Sequence, residues 1–122
     1  MSNSKQVGKL DSKIIRLLSL NFAPNTPIFI GQSNINHMKK SHPVDFAKYG
    51  ANINAILSAP DYVSQNPKDG SIEYVKEFRI DNEFVKVAVR VSGNGALYAR
   101  TLYVLNNNRV KNFIAKGTLK KT

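Results

Sequence analysis

The chain has 122 residues and no cysteine, and its 18 Lys and Arg residues outnumber 8 Asp and Glu residues, giving a formal net charge of +10. This composition excludes disulfides, zinc–thiolate sites and thiol nucleophiles, and the charge favours nucleic acid or an acidic protein as a partner. Because there is no apolar run of membrane-spanning length and no N-terminal signal peptide pattern, we expect one cytoplasmic domain over residues 1–122, which a carrier could also deliver into a target cell.

The first half of the chain is predicted to be helical, with apolar residues at helical spacing and prolines that mark the boundaries. In chain order we expect a flexible start at residues 1–8, a helix from Asp11 or Ser12 to about Asn21, a strand or extended segment at 28–30, a short helix opened by Ser33, and a helix from Pro43 to Ser58.

The second half changes to a period of two, which is typical of strands. We expect a loop at residues 61–71, strands at 72–79, 84–92, 97–105 and 110–115, and a flexible tail at 117–122. The predicted fold class is α+β, with N-terminal helices packed on a four-stranded antiparallel sheet.

Both histidines of the protein lie in one short stretch. His37 and His42 flank Lys39 and Lys40, and Pro43 follows. Histidine exchanges protons near neutral pH, and a bend at Pro43 would bring the two rings towards one cleft although they cannot share a helix face. The stretch therefore indicates acid–base chemistry on a polyanion, with two surface histidines on a basic helix as the alternative.

The first predicted hairpin places one lysine on an apolar face. A two-residue turn at Asp81-Asn82 pairs Lys76 with Val87, and it predicts cross-strand ion pairs between Glu73 and Arg90 and between Glu77 and Lys86. Lys76 then either extends past its apolar neighbours to water or has a function.

The next turn leaves two registers open. A two-residue Asn94-Gly95 turn would place Arg100 beside Lys76 on the apolar face. A three-residue loop over 93–95 instead pairs Val87 with Thr101, and it brings Thr101 and Tyr103 beside Lys76. We favour the second register because it leaves Arg100 in solvent.

Four segments, taken in order, resemble the phage-associated nuclease domains of the barnase, EndoU, colicin E5/D and RelE-like class. They are Ile35-x-His37-Met38-x-x-x-His42-Pro43, Ala59-Pro60-Asp61-Tyr62-Val63 with Asn66-Pro67-Lys68, Ile72-Glu73-Tyr74-Val75-Lys76, and Arg100-Thr101-Leu102-Tyr103. The likeness spans about residues 28–120. The chain lacks the late-sheet histidine of barnase-like proteins, which leaves the acid and base roles open.

The resemblance implies a metal-independent endoribonuclease toxin without a cofactor, which cleaves RNA by 2′-OH attack and leaves a 2′,3′-cyclic phosphate. tRNA is a candidate substrate, and an acidic immunity or antitoxin protein is a candidate partner. By position the resemblance indicates five catalytic residues: His37, His42, Lys76, Thr101 and Tyr103.

Five further cations are predicted to bind the RNA backbone: Lys39, Lys40, Arg79, Arg90 and Arg100.

The alternative function is a non-catalytic, basic nucleic-acid-binding protein of phage or mobile-element origin. Tyrosines on an exposed sheet would stack on bases in such a protein.

Overall fold

The computed structural model describes residues 4–122 and contains a seven-stranded sheet with helices packed against it. The strands are Lys5–Lys9 (β1), Pro27–Ile30 (β2), Tyr62–Gln65 (β3), Ile72–Phe78 (β4), Glu83–Val91 (β5), Leu97–Leu105 (β6) and Lys120–Lys121 (β7). The helices are Ser12–Leu18 (α1), Gln32–Ser41 (α2), Pro43–Tyr49 (α3), Ile53–Ser58 (α4) and Asn107–Ala115 (α5).

The strand order is β1-β2-β6-β5-β4-β3-β7. The α+β class is therefore confirmed, whereas the prediction of a four-stranded, purely antiparallel sheet is wrong. The sheet has seven strands, and β2 pairs with β6 in the parallel direction.

The N-terminal segment joins the sheet instead of fraying. β1 pairs antiparallel with β2, and Val7 and Leu10 are buried in the main core. The predicted flexibility of residues 4–8 is thus wrong, because two apolar side chains among polar neighbours are enough to hold an edge strand against the core. Residues 1–3 lie outside the described part of the chain.

The helix at α1 is confirmed, although it ends before the expected Asn21. Asp11 is the N-cap, and its carboxylate accepts a hydrogen bond from the backbone N–H of Lys13 at 2.6 Å. Ser19 adopts a left-handed conformation with φ of 53° and ends the helix. The pattern of apolar residues continues past this point, which explains the longer prediction.

α2 and α3 meet at the expected bend. Pro43 occupies the first turn of α3, and His42 separates the two helices in a non-helical conformation. The predicted single helix from Pro43 to Ser58 is divided, because a 3-10 turn at Gly50–Asn52 separates α3 from α4.

The parallel strand β2 covers only the start of β6, where Ile28 and Phe29 pair with Leu97 and Tyr98. Beyond that point α2 and α3 contact β6. The carboxylate of Asp45 accepts a hydrogen bond at 3.0 Å from the backbone N–H of Val104, which β2 leaves unpaired. The helix pair therefore covers the remaining edge of β6 and stands beside its late residues.

The C-terminal region differs most from the sequence prediction. Residues 110–115 form part of α5 and not a fourth strand, because Asn106 caps the helix by accepting from the N–H groups of Asn108 and Arg109. Val110, Phe113 and Ile114 have the spacing of a helix face, and they pack on the sheet.

Two predicted non-regular segments also contribute strands. β3 lies inside the expected 61–71 loop and pairs with β4. β7 lies inside the expected flexible tail and pairs with β3, and the N–H of Thr122 donates to the carbonyl of Asp61 at 3.2 Å. These strands are too short for a periodic pattern to reveal them.

The sheet has two differently covered faces. The core face carries the buried side chains of Tyr74, Val85, Val87 and Leu102, and these pack in one cluster with residues from α1 and α4. The opposite face is covered at one end by α5, through contacts that include Val75 and Val110. The rest of that second face is open, and we call it the cleft face.

Candidate active site

The first hairpin has a longer turn than predicted, and its ion pairs change as a result. Lys76 pairs with Val85, two residues from the predicted Val87. A two-residue type I′ turn would need positive φ at both central positions, but in the described chain Asn82 has φ of 53° whereas Asp81 is not in that region. The four residues 79–82 therefore form the connection.

A bulge in the second hairpin determines which side chains reach the cleft. The favoured register holds at Val89, which pairs with Ala99, and Gly95 has the expected positive φ of 85°. The register then shifts by one residue between Ala88 and Val89. Such a slip moves every following side chain to the other face, so Thr101 and Tyr103 lie on the cleft face.

Lys76 is not brought to the cleft, so the prediction that it shares a sheet face with Thr101 and Tyr103 is wrong. It lies on the core face, and its ammonium donates to the carbonyl oxygen of Ala59 at 2.8 Å. The bulge separates it from the other two residues.

The cleft face contains a cavity of about 360 Å³ that collects most of the remaining candidates. Its lining includes three predicted catalytic residues, namely His37, Thr101 and Tyr103, and two of the predicted RNA-binding arginines, Arg90 and Arg100. Glu73 and Lys86 also line it. An imidazole, a carboxylate, hydroxyl groups and cations thus surround one space.

The two histidines occupy different positions in relation to this cavity. His37 is exposed on α2 and lines the cavity wall. His42 is half-buried at the helix bend, and its ring stacks on that of Tyr103 with centroids 4.9 Å apart and planes at 25°. His42 therefore packs against the ring of Tyr103, whereas His37 lines the cavity.

Lys86 and Glu73 form a largely buried ion pair across β5 and β4. The Lys86 ammonium lies 2.9 Å from the Glu73 carboxylate, and their side chains expose 16% and 15% of their surface. The Ser64 hydroxyl donates to the other carboxylate oxygen at 2.9 Å. The ammonium also lies 5.0 Å from the centre of the Tyr103 ring.

This environment keeps Lys86 charged. Burial alone would lower the pKa of Lys86, but hydrogen bonds with Tyr103 and Glu73 outweigh it, so the net effect raises the pKa above its usual value. The charge of this ammonium is balanced by Glu73, but its N–H groups can donate a hydrogen bond to an anion in the cavity.

Thr101 is the lining residue of this cavity whose hydroxyl group has no partner in the described chain. Its hydroxyl is buried and has no hydrogen-bond partner among residues 4–122. Buried hydroxyl groups normally have a partner, because an unpaired one costs about 1–3 kcal/mol.

The other predicted RNA-binding cations lie away from the cavity lining. Lys39 and Lys40 are exposed on α2, and the Lys39 ammonium lies 5.9 Å from the Phe46 ring centre. Arg79 is in the hairpin connection, 3.9 Å from the Glu77 carboxylate. They are available to contact a longer polyanion, but not a group within the cavity.

Sequence reasoning missed Glu73 and Lys86 as members of the site. Their alternation with core residues places them on the correct face, but the predicted two-residue turn at Asp81-Asn82 sets the wrong register. Each was therefore paired with another partner, Glu73 with Arg90 and Lys86 with Glu77. A four-residue turn pairs Glu73 with Ala88. Lys86, two residues before Ala88, is then the next side chain of β5 on the same face.

Within residues 4–122, no group of three or more His, Asp or Glu side chains is placed to hold a metal ion. No helix in the same range is long and apolar enough to cross a membrane.

The comparisons with known proteins give one match. The model of the family described as phage-Barnase-EndoU-ColicinE5/D-RelE like nuclease 3 matches residues 5–112. No curated protein and no solved structure matches the chain. The matched region contains every residue named above as lining the cavity. The chain belongs to this phage-associated family of barnase–EndoU–colicin E5/D–RelE-like nucleases.

Proposed function

We propose that the protein is a metal-independent endoribonuclease whose active site is the cavity on the cleft face. The observation that carries the proposal is that His37, Glu73 and Lys86 converge on one cavity, which Thr101 also lines. Membership of a nuclease family supports phosphodiester cleavage, and the side chains present can supply proton transfer and charge stabilisation from the protein alone.

RNA carries its own nucleophile, so the protein needs only to move two protons and stabilise charge. The 2′-oxygen bonds to phosphorus as its proton passes to a base, and the bond from phosphorus to the 5′-oxygen breaks as that oxygen receives a proton from an acid. The products are a 2′,3′-cyclic phosphate and a free 5′-hydroxyl.

We assign the two proton transfers to Glu73 and His37. A carboxylate accepts protons, and Glu73 is held in place by Lys86 and Ser64. His37 donates, since an imidazolium can protonate a leaving alkoxide near neutral pH. The remaining groups act on the phosphate: the Thr101 hydroxyl hydrogen-bonds to it, and Lys86, Arg90 and Arg100 offset its developing charge.

Tyr103 and His42 have a positioning role in this proposal. Tyr103 forms the cavity wall between Lys86 and the helices, where its ring or hydroxyl contacts the RNA. His42 keeps that ring in place through the observed stack. Lys76, which the resemblance indicates as a catalytic residue, is not part of the proposed site, because its ammonium is engaged on the core face.

The biological role that fits this chemistry is that of a toxin. A compact ribonuclease with a net charge of +10 would bind folded RNA such as tRNA and would suit neutralisation by an acidic immunity or antitoxin protein. In that role, expression in a bacterial host should arrest growth, and His37→Ala should relieve the arrest.

The direct test is cleavage of tRNA and of total RNA in EDTA by the protein and two histidine variants. We expect discrete fragments from the natural chain, a loss on the order of 100-fold or more in His37→Ala, and near-normal cleavage by His42→Phe, which retains a ring on Tyr103. Unaltered cleavage by His37→Ala would contradict the assignment.

The alternative of a non-catalytic nucleic-acid-binding protein remains an outcome of the same test. Tight RNA binding without fragments, equal in the natural chain and in His37→Ala, would support that alternative and reject the nuclease.

A further inference from the structure

The C-terminal segment over residues 106–122 carries positive charge that the cleavage chemistry does not use. It contains five of the 18 basic residues and no acidic residue. All five are exposed, and they are Arg109, Lys111, Lys116, Lys120 and Lys121. No Asp or Glu side chain of residues 4–122 forms an ion pair with any of them. The segment therefore presents unbalanced positive charge to the solvent.

One of these lysines lies in the same row of the sheet as the proposed active site. Directly paired residues on adjacent strands point to the same face. The pairing continues across five strands, through Lys121, Tyr62, Val75, Lys86 and Tyr103. Lys121 is therefore on the side of the sheet that α5 and the cleft-face cavity occupy. Three strand spacings separate it from Lys86, which is about 14 Å and farther than one nucleotide extends.

Two further cations lie on the flank of α5 that borders a second cavity. At 100° per residue, Lys116 lies two turns after Arg109 and within about 20° of it around the helix axis, and the backbone of Lys116 is still right-handed helical. Arg109 lines a cavity of about 400 Å³ between α5 and the sheet. Lys86 and Tyr103 line both this cavity and the cleft-face cavity. The flank therefore leads away from the proposed active site, and we call Arg109, Lys116 and Lys121 the basic strip.

The remaining two cations of the segment point in other directions. Lys120 pairs with Val63, whose side chain is in the main core, so Lys120 lies on the opposite face of the sheet from Lys121. Lys111 lies about 160° from Arg109 around the axis of α5, and it is not among the residues that line the second cavity. The segment therefore contains two pairs of lysines of equal charge, of which one pair belongs to the basic strip.

The composition of the basic strip favours phosphate groups over a protein as the ligand. Lys and Arg are the usual donors to nucleic-acid phosphates, whereas protein interfaces are depleted of lysine and have an apolar or aromatic centre. The exposed large apolar side chains of residues 4–122 are outside the segment, at Val44, Ile80 and Val91. Lys116 and Lys121 also lie beyond residue 112, where the family match ends, so family membership does not account for the strip.

We propose that the basic strip binds backbone phosphates of the RNA strand several nucleotides away from the linkage that is cleaved. The proposal rests on the proposed function, because it takes the cleaved linkage to lie in the cleft-face cavity. A strand that leaves this cavity along α5 passes the strip, so RNA with a single-stranded extension is the preferred class of substrate. Because the contacts are made to phosphates, they read neither the base nor the 2′-hydroxyl.

Two double variants with the same change in charge test the strip. Lys116→Gln/Lys121→Gln removes two of its cations, and the matched control Lys111→Gln/Lys120→Gln removes the two lysines that point in other directions. Binding to an all-2′-deoxy oligonucleotide of about 15 nucleotides is measured over a series of salt concentrations. This probe offers phosphates but has no 2′-oxygen to attack them.

We expect the strip variant to bind this probe more weakly and with a shallower dependence on salt. The slope of log affinity against log salt should fall in magnitude by about 1.4, the value for two phosphate contacts on a single strand. The control variant should keep the slope of the natural chain. Equal slopes in the two double variants would overturn the proposal.

Poly-glutamate serves as the probe for an acidic protein ligand. We expect the two double variants to bind it equally. Equal binding of the oligonucleotide by both variants, together with a loss of poly-glutamate binding in Lys116→Gln/Lys121→Gln alone, would identify the strip as a docking surface for a protein and overturn the proposal.

Cleavage rates separate this proposal from the ribonuclease itself. Relative to the control variant, the strip variant should lose kcat/KM on an RNA of about 15 nucleotides by on the order of tenfold. The two variants should match on a dinucleotide, which is too short to reach the strip. A binding difference without any RNA cleavage would support the strip and reject the nuclease. Cleavage with equal kinetics in both variants would reject the strip and leave the nuclease intact.

Discussion

At the residue scale, the two unpartnered buried hydroxyl groups of the described chain are instructive because they differ in location. Thr101 lines the cleft-face cavity, whereas Tyr74 lies in the main core. Burial raises the pKa of Tyr74 well above its usual range, as expected for a phenol that cannot ionise in an apolar environment. Thr101, unlike Tyr74, is therefore part of the proposed active site.

We therefore predict that two conservative substitutions, one at each hydroxyl group, differ in their effect on cleavage. Thr101→Val removes a hydroxyl that lacks a partner in the folded chain, so the melting temperature should stay the same or rise. Cleavage should fall by about 100-fold, the usual effect of removing one hydrogen-bond donor to a transition-state oxygen. Thermal melts and kcat/KM on one RNA substrate measure both effects.

Tyr74→Phe is the matched control. It removes the other unpartnered hydroxyl from the core, so it should also leave the melting temperature equal or higher, but it should not change kcat/KM. A fall in stability without a fall in activity in Thr101→Val would show that the hydroxyl has a structural role and not a catalytic one.

Sequence reasoning identified several site residues but assembled them around the wrong lysine. Alternation along β4 and β5 correctly separated the two faces, yet the bulge that moves Thr101 and Tyr103 to the cleft face left no pattern in the sequence. A one-residue slip has no effect on composition and reverses every later side chain. For that reason Lys76 was predicted where Lys86 is found.

At the element scale, the sequence was most informative where a residue type limits the backbone. Pro43 correctly predicted the break between α2 and α3, and Asp11 correctly predicted the start of α1. It was least informative for α5, whose strand-like apolar content concealed the Asn106 cap. The short strands β1 and β7 depend on partners far away in the chain, which local pattern cannot show. The strand β3 pairs with the nearby β4, but its four residues are too few for alternation to identify it.

The contact between α3 and β5 also has an element-scale consequence. Glu83 accepts hydrogen bonds from the Lys48 ammonium and the Tyr49 hydroxyl, each at 2.6 Å. These two bonds, that of Lys48 first, lower the pKa of Glu83. Burial together with the bond to Glu83 raises the pKa of Tyr49 to about 12.

We predict that this contact makes stability depend on pH in a defined direction. A carboxyl whose pKa is lower in the folded chain stabilises it above the unfolded pKa of about 4.3, and the contribution is lost as the pH falls through the folded value. Glu83→Gln should therefore melt at a lower temperature at pH 7, and the difference from the natural chain should narrow towards pH 3.

The control for that series is Glu77→Gln, on the neighbouring strand. Glu77 is 3.9 Å from Arg79, an exposed partner, so its removal should change the melting temperature little at any pH. A Glu83→Gln deficit that stays constant between pH 7 and pH 3 would contradict the electrostatic account of the α3–β5 contact.

At the scale of the whole molecule, the proposed site forms where three distant parts of the chain meet. α2 brings His37, the β4–β5 hairpin brings Glu73 and Lys86, and the bulged β6 brings Thr101. The incomplete cover by β2 makes room for α2 and α3 at the edge of β6, and α5 closes the other end. The net positive charge was evident from composition, whereas this convergence depends on tertiary packing.

The measurement that tests the central claim most directly uses an RNA oligonucleotide cleaved at one known linkage, and a copy with a single 2′-deoxy nucleotide there. In EDTA, the account predicts cleavage of the first with a 2′,3′-cyclic phosphate end and no cleavage of the second at that linkage. Equal cleavage of both, or products with a 5′-phosphate, would contradict it, because neither can arise from attack by the 2′-oxygen.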